Sequence, residues 1–62
     1  MISLADQIAE VKRELQHRKK VYSRWVNSGK MPARTARRQY DRLDAVLNTL
    51  LQLKKMEDLC GQ

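Results

Sequence analysis

One run of residues, from Arg18 to Arg38, has the composition of an anion-binding surface. It contains eight Lys and Arg and no Asp or Glu, although acids are common elsewhere in the chain. A concentration of positive charge attracts phosphate-bearing ligands and acidic protein surfaces. We expect the partner to be recognised here. The basic pole, as we name this surface, consists of Lys20, Arg24, Lys30, Arg34, Arg37 and Arg38, with Tyr22 and Trp25 among them.

Two alternatives stay open for these residues. Tyr22 and Trp25 could pack to close one end of the fold, or they could stack on a base or grip a partner protein. The positive charge could likewise serve only to keep the protein in solution.

Residue combinations typical of catalysis do not occur in the sequence. His17 is the only histidine, and it has no Ser, Cys or acidic partner at the spacing of a triad. Gly29 and Lys30 lack the second glycine and the Ser or Thr of a phosphate-binding loop. Cys60 is the only cysteine, so neither a disulfide nor a Cys/His metal cluster is expected. The sequence therefore predicts a protein that is not an enzyme and has no cofactor or metal.

The length and composition favour a small protein that associates with itself. Sixty-two residues make one domain at most, and a chain this short buries little of its surface without staples or a second chain. The residues after Met1 do not form a signal sequence, and no apolar run approaches the ~18 residues that span a bilayer. We expect a cytoplasmic protein of a bacterial host, with no membrane partner.

Apolar spacing predicts a first helix over about residues 3–28. Ser3 is suited to cap its start, with Asp6 reaching back in a capping box. The apolar residues recur at intervals of 4, 3 and 4, as on the seam of a coiled coil. Arg18 falls on this seam, where an ion pair is expected with Glu14 or, across the hairpin, with Asp41 or Asp44. The first-helix residues assigned to the core or to an oligomer interface are Leu4, Ile8, Val11 and Leu15.

A turn is predicted at about residues 28–32, followed by a second helix over about 33–59. Gly29 suits the left-handed position after a helix, and Pro32 suits the first helical turn, which leaves Met31 as the N-cap. So short a turn implies antiparallel helices. The second-helix residues assigned to the core or interface are Tyr40, Leu43, Val46, Leu47, Leu50 and Leu53.

These elements predict an all-α fold, namely a single-domain, coiled-coil-like antiparallel hairpin of two helices. Val46, Leu50 and Leu53 cannot all face the first helix of the same hairpin. A second hairpin would cover them, which favours a homodimer that forms a four-helix bundle, or a higher oligomer. The sequence leaves open how the two hairpins are oriented.

The pattern as a whole resembles small phage and prophage proteins of about this length. The segments that carry the resemblance are Gln7–Glu14, Arg18, Val21–Tyr22, Arg24, Val26, Ser28–Lys30 and Leu47–Leu50. Pro32 departs from the pattern, where a capping Ser or Thr would be expected. The resemblance implies a phage origin, and small phage proteins often bind and disable a host component, including defence systems. The architecture is also similar to that of ROP, a two-helix hairpin that dimerises and binds RNA, but a shared fold says little about function.

Three functions follow as hypotheses. The leading one is a non-catalytic interaction protein that modulates or inhibits a host protein through its basic pole. The second is binding of nucleic acid or a nucleotide by the same residues. The third is a purely structural helical oligomer.

Overall fold

The computed structural model describes residues 1–61 and has two α-helices. Helix α1 spans Leu4–Asn27 and helix α2 spans Ala33–Cys60, and the two pack against each other. The hairpin measures 50 × 18 × 14 Å. The described residues contain no strand, so the predicted all-α hairpin is confirmed. We call the end that contains Gly29 the turn end, and the end that contains Leu4 and Cys60 the open end.

Helix α1 begins at a side-chain cap. The Ser3 hydroxyl oxygen accepts a hydrogen bond of 3.0 Å from the backbone N–H of Asp6. This satisfies one of the free donors of the first helical turn, as the sequence predicted. The reciprocal bond of a capping box, in which the backbone N–H of Ser3 would donate to the Asp6 carboxylate, is not formed among the described residues.

Gly29 makes the turn possible. Its φ is +80°, in the left-handed region that L-residues rarely adopt. The backbone N–H of Lys30 donates to the Trp25 carbonyl at 2.8 Å, and that of Gly29 donates to the Val26 carbonyl at 3.2 Å. These two bonds define a Schellman motif, which satisfies the last carbonyls of α1 while the chain reverses. The predicted role of Gly29 is confirmed.

The N-cap of helix α2 lies one residue later in the chain than the sequence predicted. Pro32 itself is the N-cap, with φ −64° and ψ 141°, and Ala33 is the first helical residue. The assignment of Met31 as N-cap and Pro32 to the first turn was therefore wrong. The proline ring fixes φ alone, and φ is similar at both positions, so only ψ distinguishes them. Pro32 offers no side-chain acceptor, and α2 begins without a side-chain cap.

The interface between the helices buries few residues. Ile8, Leu15 and Ala36 are the buried apolar residues. Most other apolar residues assigned to the core are half-buried, namely Leu4, Val11, Tyr40, Leu43, Leu47 and Leu50. Val46 and Leu53 are 47% and 48% exposed. Two helices alone leave one flank of each without a neighbour, so a single hairpin does not bury its whole apolar surface.

Neither helix has a segment of the length and hydropathy needed to cross a bilayer, over the residues searched.

Candidate binding site at the basic pole

The hairpin brings the six cations of the basic pole to its turn end. Lys20 and Arg24 come from the last part of α1, Lys30 from the turn, and Arg34, Arg37 and Arg38 from the start of α2. All six side chains are exposed. Among residues 1–61 none of them is within 4 Å of a carboxylate oxygen. Their positive charge is therefore not neutralised by the described part of the chain.

All the ion pairs of the described residues lie outside the basic pole. Arg13 pairs with Glu10, and Lys54 contacts Asp58 at 2.7 Å and Glu57 at 3.7 Å. The sequence explains this distribution. The Arg18–Arg38 run has eight cations and no acid, whereas the rest of the chain has five cations and seven acids. A positive end and a weakly negative end follow from these numbers.

Arg18 is paired at the inner edge of this run. Its Nε donates to Glu14 Oε1 at 2.8 Å, as one of the predicted alternatives required. The other alternative, an ion pair with Asp41 or Asp44 on α2, was wrong for the described residues. Glu14 lies one turn away on the same helix face, so the pair needs no particular offset between the helices.

This ion pair changes the pKa of both groups. The hydrogen bond from Arg18, aided by its charge, lowers the pKa of Glu14 below its ordinary value. The hydrogen bond to Glu14 raises the pKa of Arg18, and the side chain of Tyr22 adds to the effect. Arg18 is thus held as a fixed cation beside the exposed pole.

The two aromatic residues of the pole lie side by side. The ring centroids of Tyr22 and Trp25 are 6.1 Å apart, and their planes are tilted by 38°. The Tyr22 hydroxyl donates to Gln39 Oε1 at 3.0 Å, which ties α1 to α2 near the turn. Trp25 remains 37% exposed. Tyr22 therefore has a packing role, while Trp25 leaves part of its apolar surface exposed.

An open groove of about 600 Å³ runs between the helices near the turn end. Lys19 and Arg37 supply its positive charge, Tyr22 and Tyr40 supply aromatic surface, and Asp41 supplies a carboxylate. The remaining lining residues are Ser23, Val26, Asn27, Ala33 and Ala36. Lys19 and Asp41 were not assigned to the site from sequence. Lys19 lies within the basic run, and Asp41 follows Arg37 by one helical turn. The sequence therefore contained a reason to assign each of them to the site.

Arg37 and Asp41 share this groove without forming an ion pair. Both side chains are exposed. A partner can therefore contact a cation and a carboxylate together there.

A smaller depression of about 350 Å³ contains Arg18, Gln39, Arg42, Leu43 and Val46. Arg42, like the cations of the basic pole, is exposed and lies more than 4 Å from every carboxylate of residues 1–61. The depression continues toward the exposed apolar residues of α2.

Other chemistry has little support in the described residues. Groups of three or more His, Cys, Asp or Glu that could hold a metal ion are absent from the residues searched. His17 and Cys60 are both exposed.

Comparisons of the chain with protein-family models, curated proteins and solved structures find no significant match.

Proposed function

We propose that the protein is a non-catalytic interaction protein whose basic pole docks on an acidic surface of another protein. The observation that carries this proposal is the set of six exposed cations that form no ion pair within the described chain. Like charges held together repel and lower stability. A partner that neutralises them binds the folded hairpin and stabilises it by mass action.

The composition of the turn end supports a protein partner over a nucleic acid. Arg, Tyr and Trp are the residue types enriched at the energetic centres of protein interfaces. The basic pole is rich in Arg, and it combines them with Tyr22 and the exposed Trp25. Asp41 in the adjoining groove would repel a phosphate backbone but can accept hydrogen bonds from a protein.

Because the sequence resembles small phage proteins, we propose that this docking modulates or inhibits a host component in the bacterial cytoplasm. A defence-system protein is one such component. In this mechanism the protein acts by occupying a surface, and no bond of the partner is made or broken.

Binding of nucleic acid or a nucleotide is the second candidate. Trp25 offers a face for stacking beside the same cations. Such binding must weaken steeply with added salt, because it is driven by the release of counterions from the phosphates. Loss of a captured partner after nuclease treatment would favour this candidate. A structural oligomer whose charge only aids solubility is the third candidate, and it requires no partner at all.

We further propose that the hairpin works as a homo-oligomer, with a four-helix bundle as the simplest form. The support is the exposed flank of α2 that contains Val46 and Leu53. A second hairpin packed on this flank would complete the core of each copy.

The test is capture of a partner from a bacterial lysate, with and without nuclease. Wild type is compared with the R34E/R37E variant, which reverses two charges of the basic pole. The matched control is K12E/K55E, which changes the net charge equally at exposed residues outside the pole. We expect R34E/R37E to lose the partner while K12E/K55E keeps it. Equal capture by both variants would reject the basic pole as the contact surface.

A further inference from the structure

The exposed stripe of α2 has both apolar and charged members. Its residues, in chain order, are Arg42, Val46, Leu50, Leu53 and Glu57. At about 100° per residue they fall within an arc of roughly 80° on the helix surface. Val46 and Leu53 are 47% and 48% exposed, and Leu50 is half-buried. Helix α1 covers the neighbouring face of α2 and leaves this stripe open.

The hairpin exposes more surface than a compact monomer of its mass, and the excess is close to the area that one further chain would bury. Its accessible surface is 5226 Å². A compact monomer of this mass exposes roughly 4,200 Å² by the size scaling of folded proteins. The excess of roughly 1,000 Å² is about what one partner buries in a standard interface, ~800 Å². A second copy presents the same stripe and supplies the same excess area.

The charge distribution along the hairpin favours one relative orientation of the two copies. With parallel hairpins, the two turn ends would meet, and each brings eight cations without an acid from residues 18–38. With antiparallel hairpins, each turn end lies toward the other copy's open half, where acids outnumber cations. Like charges across an interface suppress the first arrangement.

We propose that two copies of the chain pair through α2 in antiparallel orientation, with the two-fold axis between Thr49 and Leu50. This register places Val46 of one copy opposite Leu53 of the other. One turn further out it places Arg42 opposite Glu57. The inference rests on the self-association proposed above, and it does not depend on which partner the basic pole binds.

The charged ends of the stripe fit this register. Arg42 has no carboxylate within 4 Å in the described chain, and the only cation near Glu57 is Lys54, at 3.7 Å. The Arg42–Glu57 pair would form twice, once on each side of the axis. In a parallel dimer the same two residues would lie roughly 22 Å apart along the rod, too far to pair.

The dimer has a consequence for binding. Helix α2 of each copy ends at Cys60, near the level of Gln39 in the other, so it does not cover Arg34, Arg37 and Arg38. Two basic poles then face outward at opposite ends, roughly 40 Å apart by the helical rise. Such a dimer can engage two acidic sites at once, which raises its overall affinity when both sites are within reach.

The first experiment uses wild-type protein with a spin label on its only cysteine, Cys60. In the proposed register the two Cys60 residues are separated by roughly 30 Å along the rod, from 21 residues of helical rise. A label distance near 30 Å supports the register. A distance under about 20 Å would show a parallel dimer and overturn it. The absence of any intermolecular distance at concentrations where light scattering shows a monomer would overturn the dimer itself.

The second experiment exchanges the charges of the proposed pair. R42E and E57R should each raise the dimer dissociation constant by about tenfold, since each disrupts two exposed pairs and creates two repulsions. The double variant R42E/E57R should restore it to within about twofold. The control D58R makes the same charge change about 100° around the helix, off the stripe, and should leave dimerisation nearly unchanged.

Additive losses in the double variant would reject the pairing of Arg42 with Glu57. These residues lie outside the basic pole, so partner capture by the R42E/E57R dimer remains a separate measurement. If the dimer proved to be parallel, or did not form, the docking proposal would still be decided by partner capture alone.

Discussion

The two ends of the hairpin hold their charges in opposite ways. At the open end, Arg13 pairs with Glu10 and Lys54 pairs with Asp58, so cations and acids offset one another within a helix. At the turn end, none of the six cations of the basic pole is within 4 Å of a carboxylate oxygen of residues 1–61. The open end thus uses charge to support its own helices. The turn end holds charge that lowers the stability of the free protein and that an external acidic surface can neutralise.

Loss of packing between the two helices should have the largest effect on the free energy of unfolding. Leu15 is 5% exposed, and we expect Leu15→Ala to lower the free energy of unfolding by about 2–4 kcal/mol through the lost burial and the cavity left behind. Urea denaturation followed by circular dichroism measures this. Leu59→Ala is the control, since Leu59 is 72% exposed, and it should change stability by less than about 0.5 kcal/mol. Equal losses would show that the hairpin is not held together by its interhelical packing.

The turn itself is the next most sensitive place. Gly29 has φ +80°, and apart from Gly29 and its two chain neighbours no residue has an atom within 4 Å of where a Cβ would stand. The cost of a side chain is therefore conformational. Gly29→Val should lower the free energy of unfolding by about 1–2 kcal/mol, and Gly29→Asn by less, because Asn tolerates the left-handed region. Thermal unfolding of both variants would check this order, and a Val variant as stable as wild type would contradict the turn geometry.

Neutralising one cation at the turn end should raise stability. Arg34 lies in the first turn of α2, where no acid is present, and Arg37 and Arg38 follow it by three and four residues. Removing its charge relieves repulsion from both and from the positive helix end. Arg34→Gln should therefore add about 0.3–0.5 kcal/mol to the free energy of unfolding.

Arg13→Gln tests the other side of the comparison. It removes the pair with Glu10 at the open end and should lower stability slightly. If both substitutions shifted stability in the same direction, the two ends would not differ as described.

The smallest effect concerns pH. The pKa of Glu14 is lowered in the folded hairpin by its hydrogen bond from Arg18. The pair therefore stabilises the fold above the ordinary Glu value of about 4.5, and this contribution is lost as the pH falls through the lower, folded-state pKa. The melting-temperature difference between wild type and Glu14→Gln should be visible at pH 7 and should shrink as the pH falls below about 4.5. A difference that persists in acid would mean that Glu14 acts by packing and not by its charge.

The features that sequence predicted well are local ones. Ser3, Gly29 and the Glu14–Arg18 pair each depend on residues within one turn of the chain, where spacing alone fixes the geometry. The two-helix hairpin follows from two apolar patterns separated by one short turn. The position of Pro32 was missed because its type restricts φ but not ψ.

Features that depend on the offset between the helices were harder to predict. An ion pair from Arg18 to Asp41 or Asp44 requires a particular rotation of α2, which apolar spacing does not specify. The groove near the turn end also depends on how the helices pack, because Lys19 and Asp41 come together there only in the folded hairpin. The depth of burial was also hidden, since Val46 and Leu53 have the same apolar character as the buried Ile8 and Leu15.

The cations gathered at the turn end are proposed to form the surface that binds a partner. The most direct test is the dissociation constant of the captured partner for wild type, R34E/R37E and K12E/K55E at one salt concentration. Because like-charge contacts cost several kcal/mol across an interface, R34E/R37E should bind at least about 100-fold more weakly, while K12E/K55E stays within a few-fold of wild type. Equal weakening of both variants would mean that only net charge matters, and it would contradict a binding surface at the turn end.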